Sequence, residues 1–253
     1  SAASGVDVVG TSVIPGLDAT VTAESDSLLG SENFDGGGVG FSATNTFNSG
    51  AGDTTESFFG VTDSGRTNLA LDGFTGNAFG SSNTDDNGAA GDHVLTINPI
   101  DVAGRSELVL SVDMAFEDEG SSEPQDFLAI SAIGRDDANN ILFEAMIDHV
   151  FALDDGEGGN GNYLDYGPFT DNGELTDDFT NFLFALPDAS QIPDLSTLEL
   201  QFTMFNTADS EAFAIDNIRV SAAAVPEPAS IALWTMLGLG LTSLGCCRIR
   251  RRQ

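Results

Sequence analysis

The sequence has 253 residues, enough for one large domain or for one domain with an appendage. Its 40 acidic residues outnumber 8 basic ones, all of them arginine, and the formal net charge is −32. This charge excludes nucleic-acid binding, which needs a basic surface, and disfavours docking on anionic lipid. Hydrophobic residues make up 41% of the chain and include 18 Phe, so a buried core is expected rather than global disorder.

Residues 31–222 have the pattern of β structure, because short apolar or alternating runs are separated by clusters of Gly, Asn and Asp. No helical period is sustained before residue 229, and no long internal repeat is visible. The strands are predicted at Val39–Phe47, Glu56–Thr62, Val94–Ile97, Leu108–Phe116, Phe127–Ile133, Ile141–Ile147, Phe179–Leu186, Thr197–Phe205 and Ala212–Val220.

Strict alternation within two of these runs predicts one buried face for each strand. In Thr197–Phe205, Leu200 faces a core while Glu199, Gln201 and Thr203 point outward. The body is therefore predicted to be an all-β, antiparallel two-sheet sandwich of the jelly-roll type. Residues 1–30 are interpreted as an N-terminal extension or an added strand.

Acidic, glycine-rich loops at 83–88 and 154–160 offer the oxygen ligands that Ca²⁺ prefers, although neither has the spacing of an EF-hand. In jelly-roll modules a structural Ca²⁺ commonly ties the first and last strands together. The candidate ligands are Glu32, Asp85, Asp86 and Asp216. The alternative is that these carboxylates are solvated turn residues that hold no ion.

Catalytic motifs are sparse. The two histidines are His93 and His149, and the sequence contains no nucleophile elbow, no His-Glu-x-x-His and no P-loop. His93 is interpreted as a polar residue at a strand edge. Paired carboxylates for glycoside cleavage stay an open alternative, since acids are so abundant. Tyr163 and Tyr166 are the one aromatic platform that a sugar could use, or else they anchor a loop.

The C-terminal segment, residues 223–253, has the features of a membrane anchor. Its residues 229–247 carry no charge, and a helix of that length spans roughly 28 Å, close to the thickness of a bilayer core. Four arginines follow the predicted transmembrane helix, so the acidic body is expected on the side away from the cytoplasm. These arginines are Arg248, Arg250, Arg251 and Arg252.

Pro226, Glu227 and Pro228 stand directly before this hydrophobic span. A Pro-Glu-Pro motif, a span and a terminal arginine cluster, in this order, resemble the PEP-CTERM sorting signal of Gram-negative bacteria. The resemblance implies an exosortase as partner, anchoring in the inner membrane before processing, and release to the cell surface or extracellular matrix. Export requires a signal peptide, which is expected to have been removed or to lie outside the given sequence.

A second resemblance concerns the body. The segment 32–36, Glu-Asn-Phe-Asp-Gly, and the closing segment 214–220, Ala-Ile-Asp-Asn-Ile-Arg-Val, are similar to uncharacterised exported jelly-roll domains that often carry such tails. The expected function is a non-enzymatic, surface-sorted protein with a structural role in the cell surface or polysaccharide matrix. Two alternatives remain: a module that binds carbohydrate or ice, and a hydrolase of matrix polymers.

Overall fold

The computed structural model describes residues 27–48, 57–63, 76–84, 93–118, 126–154, 160–165, 171–175, 177–206 and 211–223. Within some strands, including residues 151–154, 160–165 and 171–174, only the backbone is described. The predicted sorting segment and its hydrophobic span lie outside these residues. In the part of the chain that is described, no helix is long and apolar enough to cross a membrane.

The described residues form strands arranged in two antiparallel sheets. The strands are β1 Ser27–Glu32, β2 Phe41–Ala43, β3 Phe47–Asn48, β4 Phe58–Asp63, β5 Asn77–Ser82, β6 His93–Asp101, β7 Ser106–Asp118, β8 Phe127–Arg135, β9 Ile141–Asp154, β10 Asn160–Asp165, β11 Asp171–Leu175, β12 Thr180–Ala185, β13 Thr197–Phe205 and β14 Glu211–Ala223. Sheet A has the order β12-β7-β14-β5-β4-β3, with β1 also paired to β14. Sheet B has the order β11-β10-β9-β8-β13-β6-β2.

The last strand, β14, organises sheet A. One of its edges pairs with β7, while the other pairs first with β5, over Ala212–Ile215, and then with β1, over Ile218–Ala222. The change of partner coincides with a bulge at Asn217, whose φ is 49°. Asparagine tolerates this left-handed conformation better than most residues, so the sequence suits the bulge.

The core lies between the inner faces of the two sheets. β13 contributes Leu198, Leu200, Phe202 and Met204, all with no exposed surface, and Leu110, Val112 and Met114 of β7 are equally buried. These residues alternate with polar or partly exposed neighbours, since successive side chains of a strand point to opposite faces. The two antiparallel sheets and the all-β class predicted from the alternation are thus confirmed.

The strand predictions differ from the structure in two respects. The run Val39–Phe47 was predicted as one strand, but it forms β2 in sheet B and β3 in sheet A, separated by a turn at Asn45 with φ of 57°. Strands β5, β10 and β11 were not predicted; β1 begins at Ser27, inside the segment interpreted as an extension or an added strand, and it extends beyond that segment to Glu32.

His93 does not lie at an exposed strand edge. It begins β6, but it is buried with 1% of its surface exposed. Its ring lies 5.4 Å from that of Phe47 and 5.0 Å from that of Phe59, and its Nε2 is 3.2 Å from the carbonyl oxygen of Thr84. The aromatic contacts and the hydrogen bond to the backbone offset the free-energy cost of burying the imidazole.

The side chain of Asp188 links the connection between β12 and β13 to the start of β7 by hydrogen bonds. Its carboxylate accepts hydrogen bonds from the backbone N–H of Glu107 and Ser190, at 2.5 and 2.8 Å, and from the Ser190 hydroxyl. Burial by itself would raise the pKa of Asp188, but these bonds together lower it. A lowered pKa means that the ionised side chain stabilises the fold at neutral pH.

We therefore expect Asp188→Asn to cost about 1–2 kcal/mol of unfolding free energy at pH 7. The wild type loses this contribution as the pH falls through the folded-state pKa, so the difference should shrink at pH 3. Urea unfolding at the two pH values measures it, with Asp137→Asn in an exposed turn as control. A difference that is the same at both pH values would contradict a role for the charge.

Candidate functional site

The outer face of sheet B carries side chains that do not belong to the core cluster; most are partly exposed, whereas Ala129 and Ile133 are buried. On β13 and β8 these are the odd-numbered residues, because the even-numbered ones face the core. Opposite residues of paired antiparallel strands point to the same side of the sheet. The register of β6, β13, β8 and β9 therefore arranges these outward residues in rows that cross the strands.

An aromatic row lies at one end of this face. Phe205 pairs with Phe127, and the two rings are near-parallel, with centroids 6.0 Å apart and planes inclined by 21°. The row continues through the backbone positions of Phe151 on β9 and Tyr163 on β10, which follow in register. Neighbouring strands are ~4.8 Å apart, so four aromatic positions span about 14 Å across the sheet.

A polar row crosses the same face further along the strands. It consists of Ser42 on β2, Thr96 on β6, Gln201 on β13 and Ser131 on β8, and it ends at Met146 on β9. Gln201 donates a hydrogen bond from Nε2 to Oε1 of Glu199 at 3.1 Å. Hydroxyl and amide groups in this row can both donate and accept hydrogen bonds.

Between these two rows lies a third row, which we call the floor row. Its members are Val94, Thr203, Ala129 and His149, again matched by strand register. The His149 ring stands at 65° to that of Phe127, with centroids 5.4 Å apart. The three rows together place aromatic, small and polar side chains side by side across the strands.

The predicted ligand platform is only partly described. Tyr163 lies in β10 opposite Phe151, which places its backbone in the aromatic row, while Tyr166 lies outside the described residues. Sequence reasoning missed Phe127 and Phe205. The outward direction of Phe205 follows from its parity with Glu199, Gln201 and Thr203, but its pairing with Phe127 does not.

Glu32, the first of the predicted calcium ligands, is buried with 3% of its surface exposed. Its Oε1 accepts hydrogen bonds from the backbone N–H of Asn33 and Phe34, and its Oε2 accepts one from Gly40 at 2.9 Å. The carboxylate thereby closes the loop that follows β1. A Cβ on Gly38 would meet this carboxylate, so glycine is required there.

Asp216 lies in a different carboxylate group. It pairs with Asp113 across β14 and β7, and Asn217 donates from Nδ2 to both carboxylates, at 3.2 and 2.9 Å. Burial raises the pKa of Asp216 to about 6. The hydrogen bond from the backbone N–H of Asn217 and the positive charge of Arg219 oppose the rise, whereas the negative charges of Asp113 and Asp35 add to it. Negative charge at this position is therefore only partly compensated.

Glu32 and Asp216 alone do not form the predicted calcium site. Asp85 and Asp86 lie outside the described part of the chain. Among the residues that are described, no three His, Cys, Asp or Glu side chains are placed so that they could hold a metal ion. Calcium binding thus stays a prediction.

No family model and no curated protein matches the sequence. Among solved structures, the chain is similar to the CBM22-1 xylan-binding domain of Xyn10C from Paenibacillus barcinonensis, with 12% identity over 81% of this chain and 100% of that one and a TM-score of 0.41. It also resembles the CBM22-1–GH10 modules of a Clostridium thermocellum xylanase complexed with xylohexaose, with 10% identity over 78% of this chain but only 29% of that one and a TM-score of 0.41.

A third similar structure is the Stig cyclase Fisc from Fischerella sp. TAU, with 12% identity over 74% of this chain and 86% of that one and a TM-score of 0.42. Identities and TM-scores at this level are too low to assign the chain to any of these families.

Proposed function

We propose that this protein is a non-catalytic, polysaccharide-binding β-sandwich that is sorted to the cell surface. The observation that carries the proposal is the outer face of sheet B, where an aromatic row and a polar row lie on either side of the floor row. A pyranose ring has an apolar face and a rim of hydroxyls. It could place its apolar face against the rings of Phe127 and Phe205 and direct its hydroxyls to Gln201 and Thr96.

The two kinds of contact complement each other energetically. Burial of the aromatic surface supplies affinity, at roughly 25 cal/mol per Å² of apolar area. Hydrogen bonds to Gln201, Ser131 and Thr96 supply orientation, because a polar group left unpaired in the complex costs about 1–3 kcal/mol. Phe127 and Phe205 are partly exposed and do not belong to the packed core cluster, so part of each aromatic surface can contact a ligand.

The positions of the two histidines support a binding role rather than a catalytic one. His93 is held between Phe47 and Phe59 in the core, out of reach of a substrate. His149 adjoins the aromatic row, where its ring extends the apolar surface next to Phe127. Ice binding is less well supported, since the outward positions of β13 are Thr197, Glu199, Gln201, Thr203 and Phe205 rather than a regular array of threonine.

The sorting part of the proposal rests on the sequence. The Pro-Glu-Pro motif, the uncharged span and the terminal arginines, in this order at residues 225–253, resemble the PEP-CTERM sorting signal. Recognition by an exosortase would place the sandwich in the extracellular polysaccharide matrix. A sugar-binding face would then give the protein a structural role in that matrix, which joins the structural role expected from the sequence to its carbohydrate-binding alternative.

The experiment is a retention assay of the full chain, in a detergent without sugar headgroups, on a panel of insoluble and soluble polysaccharides. We expect at least one polysaccharide to be retained, and Phe127→Ala and Phe205→Ala each to weaken its binding about five- to tenfold. One lost aromatic contact of about 1–1.5 kcal/mol corresponds to that factor.

The matched control is Leu28→Ala, which removes an exposed apolar side chain, 59% accessible, from sheet A. It should leave retention unchanged, and Phe205→Trp should restore or strengthen it because the aromatic surface is kept. Unfolding midpoints of all four variants verify that the fold is intact. Equal retention of wild type and both alanine variants would contradict the proposed face.

A further inference from the structure

The charged residues around the proposed binding face are mainly carboxylates. Beyond the polar row, Glu199 on β13 and Glu144 on β9 stand on either side of Ile133 in one cross-strand row. Arg135 occupies the next row. Within the described rows of this face, Arg135 is the one arginine, so it cannot neutralise both carboxylates and attract a further anion.

We infer that this face selects neutral polysaccharides and rejects polymers that carry carboxylate or sulfate groups. The inference rests on the proposed function and names its ligand class: an extended, uncharged glycan that crosses the strands along the floor row, with the Phe127 and Phe205 rings on one side. A pyranose unit in an extended chain is about as long as the ~4.8 Å strand spacing, so successive sugars meet successive strands.

Electrostatic repulsion between the protein and a charged polymer accounts for the selection. Two like charges 10 Å apart in water repel enough to weaken binding by roughly twofold, and several such pairs add for every charged sugar on the face. The net charge of the chain, −32, adds a long-range repulsion that slows the approach of a polyanion. Both effects weaken with salt, because the screening length falls from about 30 Å at 0.01 M to about 3 Å at 1 M.

The experiment compares two forms of the polysaccharide that the retention assay identifies. One is the neutral polymer, and the other is the same polymer partly carboxymethylated, which adds charge without changing the linkage. At 20 mM salt we expect the carboxymethylated form to bind the full chain at least tenfold more weakly than the neutral form. At 500 mM salt the difference should fall to about threefold or less.

Two double variants, each of which removes two negative charges, show where on the protein the repulsion arises. Glu144→Gln with Glu199→Gln should reduce the low-salt difference several-fold and leave binding of the neutral polymer unchanged. The control, Asp63→Asn with Asp177→Asn, removes the same charge from exposed positions in β4 and just before β12. It should leave the difference in binding between the two polymers as in the wild type.

The outcomes separate the two proposals. Equal or tighter binding of the carboxymethylated polymer at low salt would overturn the inference and leave the binding function intact. An equal effect of both double variants would also overturn it, because only the net charge of the chain would then matter. Retention of no polysaccharide at all would refute the proposed function, and the inference with it.

Discussion

Asp216→Asn is expected to stabilise the sandwich at pH 8 and to leave its stability unchanged at pH 4. The pKa of Asp216 is raised to about 6 from 3.8, so the folded protein binds the proton more tightly than the unfolded chain does. The wild type therefore loses stability as the pH rises from about 4 to about 6, by roughly 2–3 kcal/mol. Asparagine avoids this cost because it stays neutral and can still accept the hydrogen bond from the Asn217 N–H.

Chemical unfolding of both proteins at pH 4, 5, 6 and 8, with a chelator present, measures the difference. Asp63→Asn, at an exposed position of β4, is the control and should show no comparable pH-dependent gain. A variant that is no more stable than wild type at pH 8 would show that the charge of Asp216 is compensated in the folded protein.

The same two proteins test the predicted calcium site. A Ca²⁺ ion that uses Asp216 as ligand would stabilise the wild type alone, by about 2.7 kcal/mol at a hundredfold excess over Kd, and would reverse the order of the two proteins at pH 8. Mg²⁺ at equal ionic strength should substitute poorly, since it demands a tighter, octahedral shell. If Ca²⁺ and Mg²⁺ shift both proteins equally, the cations only screen the acidic surface.

Strands with one buried face could be predicted from the sequence because burial leaves a period of two. β13 and β7 show this, since their core residues alternate with polar ones along the whole strand. β5 could not be found in this way. Residues 78–82 are all buried, with Phe79 in the main core and Gly80 beneath the ring of Phe58 on the opposite side, so no alternation remains.

The candidate site was harder to predict from the sequence than the fold was. The outward direction of Glu199, Gln201 and Thr203 was predicted correctly from alternation alone. The aromatic row, however, is created by the register of strands that are distant in sequence, which pairs Phe205 with Phe127. Local patterning does not contain that register, because it is set by packing and by the bulges between strands.

The burial of Asp216 is hidden from the sequence for a related reason. It stands in a β14 segment in which every residue from 212 to 216 is buried, because a small cluster of Phe58, Ala115, Ala212 and Ala214 covers the outer side of the sheet. A carboxylate beside such a cluster loses solvent, and Asp113 stands opposite it. Tertiary packing, not spacing, therefore shifts its pKa.

Replacing Pro226 and Glu227 together by alanine is expected to abolish removal of the C-terminal segment while the protein still enters the membrane. Proline fixes φ and lacks a backbone N–H, so the motif stays extended before the hydrophobic span and accessible to a processing enzyme. The uncharged residues 229–247 and the terminal arginines, which direct insertion, are unchanged in the variant. Immunoblots of membrane and secreted fractions should show the full-length variant in the membrane and none in the medium.

Ser230→Ala with Thr235→Ala, inside the span, is the control and should be processed like the wild type. Normal release of the Pro226/Glu227 variant would refute recognition of the tail by an exosortase.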